Sequence, residues 1–213
     1  MACNLCPRAC KVDRSAGERG ICGETDRVKV ARAALHMWEE PCISGKAGSG
    51  AVFFCGCALH CVFCQNGNIA NGTVGKEITE ERLAEIFLEL QEKKANNINL
   101  VTAGQFAPQV VRALRRAKDG GLDIPVVYNT SSYENVDTIK RFEGLVDIYL
   151  PDLKYVDEKL SAKYSHAPDY FVTAQAAIRE MVRQTGKPEF AVSGEQRHIF
   201  AEEYNDRCDE DAE

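Results

Sequence analysis

The sequence predicts an α/β protein whose core is a partial barrel of parallel βα units. Four short apolar runs, near residues 51, 98, 125 and 146, have the length and composition of buried strands. Helical patterns lie between most of these runs, and the links are short and contain Gly or Asp. About four parallel strands are therefore expected, too few to close a barrel of eight.

The individual strands and helices follow from the spacing of apolar residues. Strands are predicted at residues 51–54, 98–102, 125–128 and 146–150. The clearest helix has Thr79 as its N-cap and apolar residues at helical spacing from Leu83 to Leu90, so it is expected to reach about Lys94. Further helices are predicted at residues 108–118, 135–142 and 174–184.

Composition divides the chain into three parts. Residues 1–30 are a Cys-rich segment without apolar periodicity, which is not expected to form a hydrophobic core by itself. Residues 31–186 contain the predicted strands and helices and are expected to form the partial barrel domain. Residues 187–213 form an acidic, polar tail.

Charge and hydropathy argue against two classes of partner. The formal net charge is -6 and the isoelectric point is about 5.4, whereas binding to a phosphate backbone requires clustered Lys and Arg. No apolar run approaches the roughly 20 residues needed to span a bilayer, and the N-terminus has Cys and Arg where a signal peptide would be apolar. We therefore expect a cytoplasmic protein with no nucleic-acid or membrane partner.

The cysteines are crowded into one part of the chain. Nine of the ten lie before residue 65. In a reducing compartment, such crowding favours metal binding over disulfide formation.

One group of cysteines, Cys57, Cys61 and Cys64, follows the first predicted strand with the spacing CxxxCxxC. A compact loop of this kind can direct three thiolates to three irons of a four-iron four-sulfur (4Fe-4S) cluster, leaving one iron without a protein ligand. The alternative is a structural zinc site, which usually has four ligands. Cys55 could supply the fourth, because residues two apart on a strand face the same way.

This motif, with Phe63 just before its last Cys, resembles that of the radical S-adenosylmethionine (radical SAM) superfamily. The resemblance implies that the open iron binds S-adenosyl-L-methionine and that Phe63 lies beside the adenine. Four stretches are also similar to a narrower group, the pyruvate formate-lyase activating enzyme-like proteins: residues 33–45, 48–50, 64–66 and 149–155. The similarity extends from Cys3 to about Gly186.

The same resemblance implies candidate cofactor contacts just past the ends of the predicted strands. They are Thr102, Gln105, Asn129, Ser131, Asp152 and Lys154. The first two correspond to groups near the methionine amino group, and the others to groups near the ribose or a carboxylate. Residues 129–132 are equally compatible with an ordinary Asn/Ser turn, and the last two residues with a surface ion pair.

A second group of cysteines lies in the N-terminal segment. Cys3, Cys6, Cys10 and Cys22 supply four soft ligands to a segment with little core, and both structural zinc and an auxiliary iron-sulfur cluster fit them. Free thiols near a frayed terminus are the remaining alternative.

Two functions of different class are compatible with these patterns. The first is a radical SAM oxidoreductase that cleaves S-adenosylmethionine to a 5'-deoxyadenosyl radical for hydrogen abstraction, as a candidate glycyl-radical enzyme activase with a protein substrate. The family implies an external one-electron donor for this reaction. The second is a non-catalytic iron-sulfur or zinc-binding, electron-carrying module. It has an incomplete SAM pocket, because the last strands of the family's usual six are not visible. No residue is assigned a catalytic role.

Overall fold

A six-stranded sheet forms the centre of the protein. The computed structural model describes residues 2–186 of the 213. The strands are β1 (Lys29–His36), β2 (Ser49–Phe54), β3 (Lys76–Glu77), β4 (Ile98–Val101), β5 (Val126–Thr130) and β6 (Ile148–Pro151). Their order across the sheet is β3-β1-β2-β4-β5-β6.

The helices lie mainly between the later strands. They are α1 (Pro41–Ser44), α2 (Gly67–Ala70), α3 (Glu80–Glu92), α4 (Ala107–Asp119), α5 (Val136–Ile139), α6 (Glu158–Ser165) and α7 (Tyr170–Thr185). Short 3-10 turns occupy residues 14–16, 104–106 and 140–142. None of the helices within residues 2–186 is long and apolar enough to cross a membrane.

The predicted parallel core is confirmed. β2, β4, β5 and β6 pair in parallel and in chain order, which is the arrangement that four βα units produce. Two antiparallel strands were not predicted: β1 pairs with β2, and the two-residue β3 pairs with β1. The sheet is therefore mixed, and its parallel part matches the prediction.

Most predicted helices form, with shifted ends. α3 begins after Thr79, whose hydroxyl accepts a hydrogen bond from the Arg82 N–H as an N-cap. α7 begins at Tyr170, earlier than the predicted residue 174, and α6 was not predicted. β1 begins at Lys29, just before the expected end of the Cys-rich segment at residue 30. The predicted acidic tail, residues 187–213, lies outside the described residues.

The sheet packs α3 and α4 on one of its two faces. Alternate strand residues, among them Val52, Leu100 and Tyr128, pack with α3 and α4 in the main apolar core. The residues between them, such as Asn99 and Asn129, project from the other face because successive side chains of a strand alternate. That second face carries the polar groups that the site requires.

Candidate functional site

The loop that carries Cys57, Cys61 and Cys64, called here the site loop (residues 57–64), begins where β2 ends. Gly56 starts the turn with a φ of +79°, a left-handed conformation that favours glycine. A Cβ on Gly56 would lie 2.6 Å from the carbonyl oxygen of Cys22, so only glycine fits between the loop and the N-terminal segment. The carboxyl ends of parallel strands are the usual place for ligand sites in α/β folds.

The three thiols of the site loop lie close enough to influence one another. Burial is the main cause that raises the pKa of Cys57, and the neighbouring thiols of Cys61 and Cys64 raise it further. The backbone N–H of Leu59 points at the Cys57 sulfur from 3.4 Å, which favours the thiolate. A backbone hydrogen bond of 3.0 Å from Cys64 N–H to the Cys61 carbonyl closes the turn.

Cys55, the candidate fourth ligand of a zinc site, has its thiol engaged elsewhere. The sulfur donates to the carbonyl of Val74 at 3.2 Å, and a Cβ on Gly75 would lie 2.4 Å from it. This hydrogen bond argues against Cys55 as the fourth thiolate ligand of a zinc site at the loop.

The donor set suits a cluster better than a single ion. Within residues 2–186, no three His, Cys, Asp or Glu side chains are grouped so that they could hold one metal ion. Thiolates of a cubane bind different irons and stand farther apart than thiolates that share one zinc at about 2.3 Å. Three neighbouring thiols on a compact loop match the ligand number of a 4Fe-4S cluster with one iron free, whereas a structural zinc site usually has four ligands.

Phe63 presents its ring beside a cluster of tyrosines. It is 58% exposed, and its edge-to-face contacts join it to Tyr155 and Tyr164 at 6.1 and 6.5 Å between ring centroids. The Val62 N–H donates to the Tyr164 carbonyl at 2.9 Å, which holds the loop against α6. An exposed, supported ring is suited to stacking on a planar ligand, and its predicted place beside the adenine stays a prediction.

Gln105 holds the start of the site loop. Its side-chain amide lies within 2.8 to 3.0 Å of three backbone carbonyls, those of Cys55, Gly56 and Thr102. The residue is 5% exposed, so the amide nitrogen is committed to the chain itself. The structure thus gives Gln105 a positioning role, and a direct cofactor contact by this residue stays a prediction.

Backbone strain marks two neighbouring strand ends. Thr102, just past β4, has a φ of +58°, and Ser132, just past β5, has a φ of +63°. Such values are rare for residues with a Cβ, most of all for a β-branched residue, and they concentrate at ligand sites. The Ser132 hydroxyl is buried and has no hydrogen-bond partner, which leaves a polar group available at this edge.

The other predicted cofactor contacts gather around one tyrosine. The Tyr170 hydroxyl lies 2.8 Å from the carbonyl of Ser131 and 3.1 Å from that of Asp152, and it accepts from the Lys154 N–H at 2.8 Å. Lys154 and Asp152 also form an exposed ion pair of 2.6 Å, which contributes little to stability. Asn129 is half-buried, and its carbonyl accepts from the N–H past β4. Contacts to a cofactor at these residues stay predictions.

A polar pair that sequence reasoning missed lies on the face of the sheet opposite α3 and α4. Asn99 donates its side-chain amide to a carboxylate oxygen of Glu39 at 2.7 Å, and the amide oxygen of this fully buried Asn99 has no partner. Burial, aided by Glu40 and Asp152, raises the pKa of Glu39 to about 7. Asn99 and Glu39 are 60 residues apart in the sequence, so only the two adjacent acidic residues at positions 39 and 40 could have indicated this site.

A buried carboxylate lies next to the backbone that follows β4. Glu134 accepts from the Thr130 hydroxyl at 2.9 Å and from the Tyr128 hydroxyl at 3.2 Å. Burial raises its pKa to about 7 although both hydrogen bonds lower it. A Cβ on Gly104 would lie 2.3 Å from one carboxylate oxygen, so the backbone after β4 rests directly on this group.

The structure also brings together the four N-terminal cysteines. Burial raises the pKa of Cys22, and the thiols of Cys3 and Cys10 add to the rise. Burial likewise raises the pKa of Cys6 to about 12, with smaller contributions from the Cys22 and Cys3 thiols. All four are free thiols.

Comparison with known proteins accounts for this arrangement. The family model for the radical SAM superfamily matches residues 51–192, which include the site loop, β4, β5 and β6 and most of β2. An uncharacterized protein of Methanocaldococcus jannaschii is 31% identical over 179 residues, covering 79% of this chain and 50% of that protein. The pyruvate formate-lyase-activating enzyme of Clostridium pasteurianum is 27% identical over 122 residues, covering 54% of this chain and 50% of that enzyme.

The chain spans about half the length of these curated relatives. No solved structure matches it. The family match covers more than half of the chain and coincides with the parallel sheet and the cysteine loop at its edge. The chain therefore belongs to the radical SAM superfamily.

Proposed function

We propose that the protein binds a 4Fe-4S cluster through Cys57, Cys61 and Cys64 and reductively cleaves S-adenosylmethionine there. The observation that carries the proposal is the site loop itself, with its three neighbouring thiols at the carboxyl edge of a parallel sheet. The engagement of Cys55 with Val74 supports it, because a fourth thiolate at the cluster would block the open iron.

The bound cluster would supply one electron, and the cleavage would yield a 5'-deoxyadenosyl radical that abstracts a hydrogen atom from the substrate. The chain's own contribution is to hold the loop. Gln105 fixes the backbone before the first ligand, and the Leu59 N–H stabilises the Cys57 thiolate. The exposed Phe63 ring offers a surface for the adenine.

The likeness to an activating enzyme supports a proposal for the substrate class. The relative from Clostridium pasteurianum is named a pyruvate formate-lyase-activating enzyme, and we infer that a protein glycine is the hydrogen donor here as well. Such a role requires an external one-electron donor. The crowded free thiols fit a reducing compartment, which is consistent with the cytoplasm.

The test is anaerobic reconstitution with iron and sulfide, followed by dithionite and S-adenosylmethionine, with chromatography for 5'-deoxyadenosine. We expect product from the wild type and none from Cys61→Ala. Cys42→Ala is the matched control, because Cys42 is an exposed thiol outside both cysteine groups, and this variant should retain activity.

The alternative is a non-catalytic iron-sulfur or zinc-binding, electron-carrying module. A wild-type protein that contains a reducible cluster but forms no 5'-deoxyadenosine would support this alternative against the proposal. Zinc in place of iron at the site loop would do the same.

A further inference from the structure

The N-terminal lobe, defined as residues 2–24, lacks an apolar core. Within it, the buried side chains are those of Arg14, Cys22 and Glu24. A segment this small needs a disulfide, a metal or a neighbouring surface to replace the missing core. Its cysteines are free thiols, so disulfides do not supply that replacement.

The backbone of the lobe curls around its cysteines. Cys3 donates its N–H to the carbonyl of Val12 at 2.9 Å and accepts from the Lys11 N–H at 3.1 Å. Lys11 adopts a left-handed φ of +58°, which reverses the chain. These bonds close a loop around Cys6 and Cys10 and bring both toward Cys3.

Cys22 reaches the same point from the other side. A Cβ on Gly20 would lie 3.1 Å from the sulfur of Cys10 and 3.5 Å from the sulfur of Cys22. Both sulfurs therefore border the space beside this glycine, and a larger residue would displace the Cys10 sulfur. Cys22 is 7% exposed, so its thiol faces inward and away from solvent.

We propose that Cys3, Cys6, Cys10 and Cys22 are the ligands of a second iron-sulfur cluster, a 4Fe-4S cluster with complete thiolate ligation. Four soft donors in a lobe without other core suit such a cluster. A single zinc held by the same four thiols is the alternative, and the zinc content per chain distinguishes the two. This second cluster has no open iron and does not bind S-adenosylmethionine.

The lobe is joined to the site loop by Arg8, two residues after Cys6. Its guanidinium donates to the carbonyls of Ala58 at 2.8 Å, Leu59 at 3.5 Å and Ser165 at 2.7 Å, and also to that of His166. A cluster that orders the lobe thereby also orders the loop that carries the other three thiols. The site assignment goes beyond the proposed function and does not depend on it.

The experiment uses the full chain, reconstituted anaerobically, in four forms. They are the wild type, a site-loop variant (Cys57→Ala, Cys61→Ala and Cys64→Ala), a lobe variant (Cys3→Ala and Cys10→Ala) and the control Cys42→Ala. Iron, sulfide and zinc per chain are measured, together with electron paramagnetic resonance spectra after reduction with dithionite, with and without S-adenosylmethionine.

We expect about eight irons in the wild type and the control, and about four in each of the other variants. The reduced spectrum of the site-loop variant should be unaffected by S-adenosylmethionine, since all its irons carry thiolates. If the lobe variant does not fold, the wild type and the site-loop variant still decide the question.

Two results would overturn the proposal. A site-loop variant without iron would show that the lobe holds no cluster, and zinc at one per chain would show a different metal. Either result leaves the proposed function untouched, whereas failure of cofactor cleavage with lobe iron retained would reject the proposed function alone.

Discussion

The two cysteine groups of this protein use the same side chain on very different supports. The site loop extends from a buried parallel strand and is held by Gln105 and by a cluster of tyrosines. The N-terminal lobe has no apolar core and rests on Arg8 and on its own backbone turns. The sheet can therefore position the first group before metal binds, whereas we expect the second group to depend more strongly on its proposed cluster.

Removal of the metal should produce the largest difference between the two regions, in their rates of proteolytic cleavage. Without iron, we expect trypsin to cut the lobe after Lys11 and Arg19 on the order of tenfold faster, because the lobe loses what replaces its core. Cleavage after Arg82 in α3 should change little. Limited proteolysis of reconstituted and chelated protein, read by mass spectrometry, measures both rates, and equal protection of the lobe in the two states would contradict the comparison.

Gly56→Ala should force the two regions apart. The new Cβ would lie 2.6 Å from the Cys22 carbonyl oxygen and would sit on a residue with a φ of +79°. Strain and overpacking together should lower the free energy of unfolding by about 2–4 kcal/mol. Gly67→Ala is the matched control, since a Cβ there meets nothing within 4 Å. Denaturant unfolding compares the two, and equal stabilities would refute the close contact.

The variant Arg8→Gln tests the link between the lobe and the site loop with a smaller expected effect than Gly56→Ala. The loss of charge-assisted hydrogen bonds to the Ala58 and Ser165 carbonyls should cost about 1–3 kcal/mol and speed amide exchange in the site loop. Arg27→Gln removes an exposed arginine that pairs with Glu77 at 3.5 Å, and should cost less than about 1 kcal/mol. Amide exchange in the site loop that is unchanged in Arg8→Gln would contradict the proposed connection between the lobe and the loop.

Glu134 contributes a dependence of stability on pH, and Glu39 adds to it because burial raises the pKa of both carboxyl groups to about 7. Burial raises the pKa of Glu134 from 4.5 to about 7, so the folded state keeps a proton that the unfolded state releases. Stability should therefore fall as the pH rises from about 4.5 to about 7 and then level off. Glu134→Gln should flatten this slope in thermal melts across that range. A Glu134→Gln variant whose stability falls as steeply as that of the wild type over the same window would contradict this role of Glu134.

The sequence predicted the parallel core because its strands are clear apolar runs. It missed β1, whose Ala-rich sequence from Lys29 to His36 has neither strong β propensity nor clean alternation. It missed α6 because eight mostly polar residues from Glu158 to Ser165 give too short a pattern to recognise. The Asp157 side chain caps this helix by accepting from the Leu160 N–H, and Tyr164 packs it against the tyrosine cluster.

The features of the site also divide into those set by residues near in sequence and those that join residues distant in sequence. The spacing of the site-loop cysteines was readable, because it is local. The engagement of Cys55 with Val74, the Gln105 hydrogen bonds and the Glu39–Asn99 contact join residues 19 to 60 positions apart. Such pairs depend on strand order and chain reversal, which a single sequence does not specify.

The central claim is that the site loop holds a cluster with one open iron. The most direct measurement is the electron paramagnetic resonance spectrum of the reduced, reconstituted protein before and after addition of S-adenosylmethionine. The account predicts that part of the spectrum changes and that Cys64→Ala abolishes the change. A wild-type spectrum that contains reduced cluster but is identical with and without S-adenosylmethionine would contradict it.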